Sequence, residues 1–303
     1  MTAAATAQSN RVVAAFLAAC AGIALYSVMD AVMKGLVLAL GAYVALFWRL
    51  VAGALIMTPL FALSKPRMPA RHILIIHFLR SAIIAVMAIA FFWGIARVPL
   101  AEAVALTFIA PLIALALAAV FLKEKIGLRS ILGSLLGLSG VGVILGGQLS
   151  GSHNHENVLG MAAVLISAVF YAVNLVIARH QAQHAKPIEI AFFQNMFILG
   201  FFCLPAPWLL SVPAVPHFPA VVGAASLAIV SLMLLSWAYA RAEAQVLLTV
   251  EYTAFIWAAL MGWLVFREAL TLGTIAGTLL IVAGCLLAAR RQDGEPESEI
   301  ANA

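Results

Sequence analysis

The sequence predicts an all-α membrane protein with ten transmembrane helices arranged as two inverted five-helix repeats. Three observations carry this expectation. Of 303 residues, 65% are hydrophobic and 10% charged, with a mean hydropathy of +1.11. A soluble domain has about 45–50% apolar and about 25% charged residues. The apolar residues gather into ten runs of the length that a bilayer core of about 30 Å requires, about 20 residues each. The second half of the chain also echoes the first.

Such a composition cannot cover a water-soluble globule with polar side chains. It excludes soluble enzymes, nucleic-acid binders and disordered regulators. The formal net charge of +5 comes from 17 basic and 12 acidic residues. The basic ones are scattered through short loops and form no stripe that could track phosphates, so the partner they imply is the lipid bilayer and not a nucleic acid. Cys20, Cys203 and Cys285 sit in apolar runs and offer neither a disulfide framework nor a metal-ligand spacing.

The runs lie near 12–33, 43–63, 73–94, 99–121, 128–147, 158–178, 189–210, 219–239, 244–266 and 272–289. They are long and do not alternate, which argues for helices over strands. Lys65-Pro66-Arg67 ends the second run, and Arg97-Val98-Pro99 separates the third from the fourth. The stretch GQLSGSHNHEN from Gly147 to Asn157 is the longest interior polar segment and marks a midpoint. Pro213, Pro216 and Pro219 mark the turn after the seventh run. The predicted organisation is a cytoplasmic N-terminus (1–11), a first repeat (12–147), a periplasmic linker (148–157), a second repeat (158–289) and a polar tail (290–303).

Orientation follows from the lysines and arginines of the loops. With the N-terminus inside, 12 basic residues fall on the inner side. Lys34, Arg97 and Arg267 fall outside, and Arg49 and Arg80 lie within runs, which accounts for all 17. Both termini are then cytoplasmic, in the plasma (inner) membrane of a bacterial cell, and the span count is even.

A shift of 144 residues aligns 93–140 with 237–284. Trp93, Ala96 and Arg97 meet Trp237, Ala240 and Arg241; Glu124 meets Glu268; Gly133 and Gly140 meet Gly277 and Gly284. In a chain rich in Ala and Leu, the rare Trp, Arg and Glu matches carry the signal. Each half holds five runs. Five is odd, so the second half enters the membrane from the opposite side, a construction common in secondary transporters.

The stretch from Trp93 through Ala101-Glu102-Ala103 and Pro111 to Leu122-Lys123-Glu124, then Gly133 and Gly140, resembles the EamA domain. So does its echo ending in Phe266-Arg267-Glu268, Gly277 and Gly284, and Arg49 within Phe47-Trp48-Arg49-Leu50 is similar to that family's second span. The resemblance covers about 12–290. It departs at Phe255, which stands where the first half has Pro111. The resemblance implies a permease of the drug/metabolite transporter superfamily, without a cofactor. Such permeases carry small organic metabolites, among them amino acids, nucleosides, S-adenosylmethionine, riboflavin and amphiphilic cations. Transport is often coupled to protons or run as exchange. The sequence leaves a monomer and a homodimer both open.

Ionisable groups at membrane depth are costly and mark candidate sites. Glu251 lies seven residues into the ninth run, roughly 10 Å from the helix end. It is a candidate for proton coupling or for a substrate ammonium, the alternative being a structural partner of a buried arginine. Arg49 and Arg80 lie six and seven residues into their runs. Each could hold a substrate carboxylate or phosphate, or pair with Glu251; each could also serve as helix glue or snorkel to the interface. Asp30 and Lys34, four apart, are expected to pair along one helix face. Ser167, Tyr171, Asn174 and Ala178 form one polar-to-small face of the sixth run, suited to a cavity or a helix contact. Gln194 and Asn195 are similar candidates. Trp48, Trp93, Tyr252 and Trp257 could stack on a planar or cationic solute, or anchor the membrane interface. Glu102, Glu124, Glu243 and Glu268 read as structural, and Gly133, Gly137, Gly140, Gly273 and Gly277 as packing residues. His153 and His155, with only Glu156 beside them, lack an adequate metal-ligand set.

The enzyme rival is an intramembrane serine protease built on Gly137-Leu138-Ser139-Gly140 and His77. It requires the histidine within hydrogen-bond reach of the serine. An aspartyl protease needs two aspartates in the membrane, and the chain has only Asp30 and the tail's Asp293. No phosphate-binding GxxxxGK[ST] loop exists. A passive channel or a membrane scaffold would show rings of like charge or a dimer-specific interface, and neither is visible.

Overall fold

Long apolar runs bounded by Gly, Pro and charge fold as helices, and the described residues contain no strand. The structure is a computed structural model that describes residues 3–65, 68–110, 112–113, 128–149, 155–241, 250 and 252–289. Among these, the helices of eight residues or more are α1 (Ala3–Leu40), α2 (Ala42–Leu63), α3 (Arg71–Ile95), α4 (Leu100–Thr107), α5 (Leu128–Leu149), α6 (His155–His184), α7 (Pro187–Cys203), α8 (Phe218–Tyr239), α9 (Thr253–Phe266) and α10 (Leu272–Ala289). Among the described residues, five segments are long and apolar enough to cross a membrane: Val13–Leu40, Ala42–Leu63, Arg71–Ile95, His155–His184 and Val215–Tyr239. Leu55, Leu135, Ile166, Ile256 and Leu279 are each more than half exposed on the outside of the bundle, a surface suited to lipid and not to water.

Several boundaries depart from the sequence expectation: α1 starts at Ala3, ahead of residue 12, α4 ends at Thr107 within the expected 99–121 run, α6 runs on to His184, past residue 178, and two further departures have a plain local cause. The first helix runs on to Leu40, past the expected end near residue 33, and only Gly41 separates it from α2. Gly41 has φ 81, the left-handed region that glycine enters without a Cβ penalty. Its N–H donates to the Val37 carbonyl at 2.8 Å, and its own carbonyl accepts from the Ala45 N–H at 3.1 Å. Lys34, assigned to an outer loop by its charge, is therefore inside a helix and buried. The seventh helix stops at Cys203 instead of reaching residue 210. Pro205 has no N–H to donate and its ring opposes the preceding turn, so the chain breaks and resumes as the single turn Ala206–Leu209.

The packing pattern repeats. Helix α5 packs on α10, α2 on α7 and α4 on α9; α1 packs on α8 as α6 does on α3. The contact of α1 with α9 is matched by that of α6 with α4, and α3 with α7 by α8 with α2. Exchanging α1–α5 for α6–α10 in order maps this set of pairs onto itself. The α5–α10 contact is close and crossed. A Cβ on Gly140 would lie 2.5 Å from the Gly277 carbonyl, and one on Gly284 would lie 2.5 Å from that of Gly133. Position 133 thus meets 284 while 140 meets 277, so the two helices run antiparallel.

The aligned Trp-Arg pairs also share their geometry. Arg97 Nη1 donates to the Trp93 carbonyl at 3.0 Å, with the guanidinium 3.4 Å from the Trp93 ring centre. Arg241 Nη1 donates to the Trp237 carbonyl at 3.1 Å, with the guanidinium 4.3 Å from the Trp237 ring centre.

Candidate functional site

Polar residues spaced along one face of a helix must look into a cavity or a neighbour, because lipid offers them no partner. Two such faces meet here. On α6, Ser167, Tyr171 and Asn174 face a cavity of about 310 Å³. On α1 the equivalent face, Ile23, Ser27 and Asp30, lines the same cavity, displaced by the same 144 residues. Tyr26 of α1, Arg49 of α2, Arg80 of α3, Thr107 of α4, Gln194 and Asn195 of α7, Ser236 and Tyr239 of α8 and Tyr252 add to its polar lining. Among the described residues, none of α5 or α10 lines it.

Arg80 donates through Nε to Asn174 Oδ1 at 2.9 Å and through Nη1 to Gln181 Oε1. Arg49 is held differently. Its guanidinium lies 5.9 Å from the Phe92 ring centre, and its buried Nε has no hydrogen-bond partner among the described residues. Nor does the buried Oε1 of Gln194. A donor and an acceptor are thus both unsatisfied in the cavity wall, where such groups are costly to leave unpaired. Asn195 Nδ2 donates to the Leu50 carbonyl at 2.9 Å and ties α7 to α2. Gly53 makes room for it: a Cβ there would sit 2.4 Å from Asn195 Oδ1.

Asp30 does not pair with Lys34. It turns into the cavity, close enough to Arg49 to interact electrostatically. Lys34 points away and donates to the Val98 carbonyl at 2.7 Å and to Glu268 Oε1. The other oxygen of Glu268 accepts from the Leu100 N–H at 2.8 Å, at the first turn of α4 where an anion is favoured. Arg267, left-handed at φ 58, turns the chain so that this carboxylate folds back over Gly262. The two ends of α3 mark the two ends of the bundle. Near its start, His77 reaches Gln181 and Glu189 beside the α6–α7 turn, and the cavity lining extends to Ala182 and Ala191 there. Beyond its finish, the Lys34–Glu268 pair ties α1, the α3–α4 turn and the α9–α10 turn together.

Arg49, Arg80, Tyr171, Asn174, Gln194, Asn195 and Tyr252 thus all line one cavity. Three aromatic candidates do not. Trp48 donates Nε1 to the Ser211 carbonyl at 2.9 Å and packs edge-on against Phe47 and Phe218. Trp93 lies under Arg97. Trp257 is exposed on the outside of α9. An aromatic ring gains by burial almost anywhere, so its type does not reveal which way its helix face turns. Glu251, together with Glu124, Glu243, Pro111 and His153, lies outside the described residues. Tyr26, Ser27, Asp30, Ser236 and Tyr239 were missed as lining residues. The repeat shift would have found two of them, since it pairs Ser27 with Tyr171 and Asp30 with Asn174. Glu102 is buried and accepts a 3.0 Å bond from Thr274 Oγ1, in keeping with a structural role.

The protease pair is not assembled. Ser139 is exposed on α5 and its hydroxyl donates to the Leu136 carbonyl at 2.7 Å. His77 is engaged at both nitrogens, by Gln181 and by Glu189.

Comparison with known proteins agrees with this geometry. The model of the EamA-like transporter family matches residues 13–146 and again 158–290. The pseudopaline exporter CntI of Pseudomonas aeruginosa (strain UCBPP-PA14) is 27% identical over 279 residues, covering 89% of this chain and 93% of its own. An uncharacterized transporter of Helicobacter pylori (strain J99) is 24% identical over 204 residues, covering 66% of this chain and 68% of its own. A protein crystal structure superposes with a TM-score of 0.63 at 20% identity, covering 91% of this chain and 96% of that one, which supports the fold alone. The chain belongs to the EamA-like transporter family: it is a multi-pass membrane transporter of the drug/metabolite superfamily with two EamA domains, and not an enzyme.

Proposed function

We propose that this transporter is a secondary active permease that carries a small organic solute through the cavity between two inverted five-helix halves, ten spans in all. The observation that carries the reading is the cavity itself, lined by polar groups from both halves, with Arg49 Nε and Gln194 Oε1 in its wall lacking a hydrogen-bond partner among the described residues. The antiparallel α5–α10 contact and the exchangeable packing pattern support inverted halves. Two halves of opposite sense can pack in two similar ways, one exposing the cavity to each side of the membrane.

In this reading Arg49 and Arg80 hold an anionic group of the solute, and Asp30 holds a cationic one. Tyr171, Asn174, Gln194, Asn195 and Tyr252 make neutral contacts. Glu251 couples transport to protons. The protein resides in the inner membrane of a bacterium with both termini cytoplasmic. The relation to an exporter favours outward movement of the solute. The test is flux in proteoliposomes under an imposed pH gradient, using the solute that most raises the melting temperature of the purified protein. Glu251→Gln is expected to abolish pH-driven flux while leaving expression intact. Unchanged proton-driven flux in that variant would remove Glu251 from the coupling role. A protein that no metabolite stabilises and that moves none would reject the permease reading.

A further inference from the structure

A chain of polar side chains leads from the cavity wall to the α6–α7 end: the buried Asn174, Arg80, Gln181 and His77, then the part-exposed Glu189. Arginine has only donors, so its Nη1 fixes which end of the Gln181 amide faces it: the oxygen. The amide nitrogen then faces His77 Nδ1, 2.6 Å away. An amide nitrogen can only donate, so Nδ1 must be bare and accept. The ring proton then sits on Nε2, which donates to Glu189 Oε1 at 3.1 Å. The tautomer of His77 is thus set by Arg80 through the amide between them.

A second proton on His77 breaks this arrangement. It would sit on Nδ1 and face the Gln181 amide nitrogen, donor against donor. Turning the amide over would satisfy His77 and present the nitrogen to Arg80, again donor against donor. Among the described residues, the hydrogen-bond partner of Nδ1 is Gln181. The charged groups that act on it are Glu189 of α7 and Arg80 of α3 itself. Helix α6 contributes the neutral Gln181, and Phe193 of α7 stacks on the ring with centres 5.1 Å apart. Gln181 and His77 are each almost fully buried.

We propose that Gln181 is a positioning residue that makes a second proton on His77 and full seating of Arg80 mutually exclusive, so that proton uptake at the α6–α7 end loosens the cavity's anion-holding guanidinium. The functional consequence rests on the reading of the cavity as the solute site; the exclusion itself does not.

The experiment is nitrogen NMR on the purified full-length protein labelled with ¹⁵N-histidine and ¹⁵N-arginine, with His77→Gln and Arg80→Lys used only to assign the signals. At neutral pH, His77 is expected to show a bare Nδ1 and a protonated Nε2. On acidification, the Arg80 Nε signal is expected to move in step with the appearance of doubly protonated His77. In Gln181→Glu, both carboxylate oxygens accept, so doubly protonated His77 appears already at neutral pH and Arg80 stays seated. A wild-type His77 protonated on Nδ1 at neutral pH, or an Arg80 signal indifferent to its protonation, overturns the proposal. These signals need no solute, so a failure to transport would leave them unchanged and the two readings can fail separately. Should the Gln181→Glu protein not fold, the wild-type titration decides alone.

Discussion

Lys34 is a buried amine inside a helix bundle, held by partners far away in sequence: Val98 and Glu268. Removing one member of a buried pair strands the other, which typically costs about 3–5 kcal/mol. Lys34→Met should therefore lower the stability of the purified protein by about 3 kcal/mol, since the Glu268 side chain keeps some exposure. Adding Glu268→Gln should recover part of the loss, because no carboxylate is then left uncompensated. Thermal unfolding in detergent measures both; a neutral Lys34→Met, or a double variant worse than the sum of the singles, would show that the pair holds little. The same residue explains why some of the site was not legible in the sequence. Four residues apart on a helix, Asp30 and Lys34 look like mutual partners, and nothing local reveals that Glu268, 234 positions away, takes the lysine and frees the aspartate for the cavity. Tyr171 and Asn174, by contrast, share one helix face that can be read from their spacing, and that face lines the cavity.

The elements were more legible than their ends. Bilayer thickness imposes a length on every apolar run, and most observed helices start and stop within a few residues of those runs. Two of the exceptions have local causes, a buried charge that resembled a loop in α1 and Pro205 after α7; the extension of α6 to His184 is explained by neither. Glycine positions could be read as packing residues, but not which of them is crossed most tightly. A methyl on Gly140 would press on the Gly277 carbonyl, whereas one on Gly142 meets nothing within 4 Å. Overpacking costs about 1–3 kcal/mol, while Gly to Ala in an open helical position gains about 0.5–1 kcal/mol. Gly140→Ala should therefore lower the melting temperature and Gly142→Ala hold or raise it. Equal behaviour of the two variants would mean that α5 and α10 do not approach as closely as described.

At the scale of the molecule, the two halves share a packing pattern and differ in chemistry. The position equivalent to Lys34 is Ala178, and the one equivalent to Glu251 is Thr107. The α1 tie of the Lys34–Glu268 pair therefore has no equivalent on α6, which makes the ends of the bundle unequal. This asymmetry was visible in the aligned sequence, although its meaning depended on contacts between halves. Opposite orientation of the halves is the claim on which the permease reading stands. Single cysteines at 97 and 241, in a protein whose Cys20, Cys203 and Cys285 are replaced by serine, test it with a membrane-impermeant thiol reagent on intact cells. The expected result is labelling at 97 from outside and at 241 only after the membrane is opened. Labelling of both positions from the same side would contradict it.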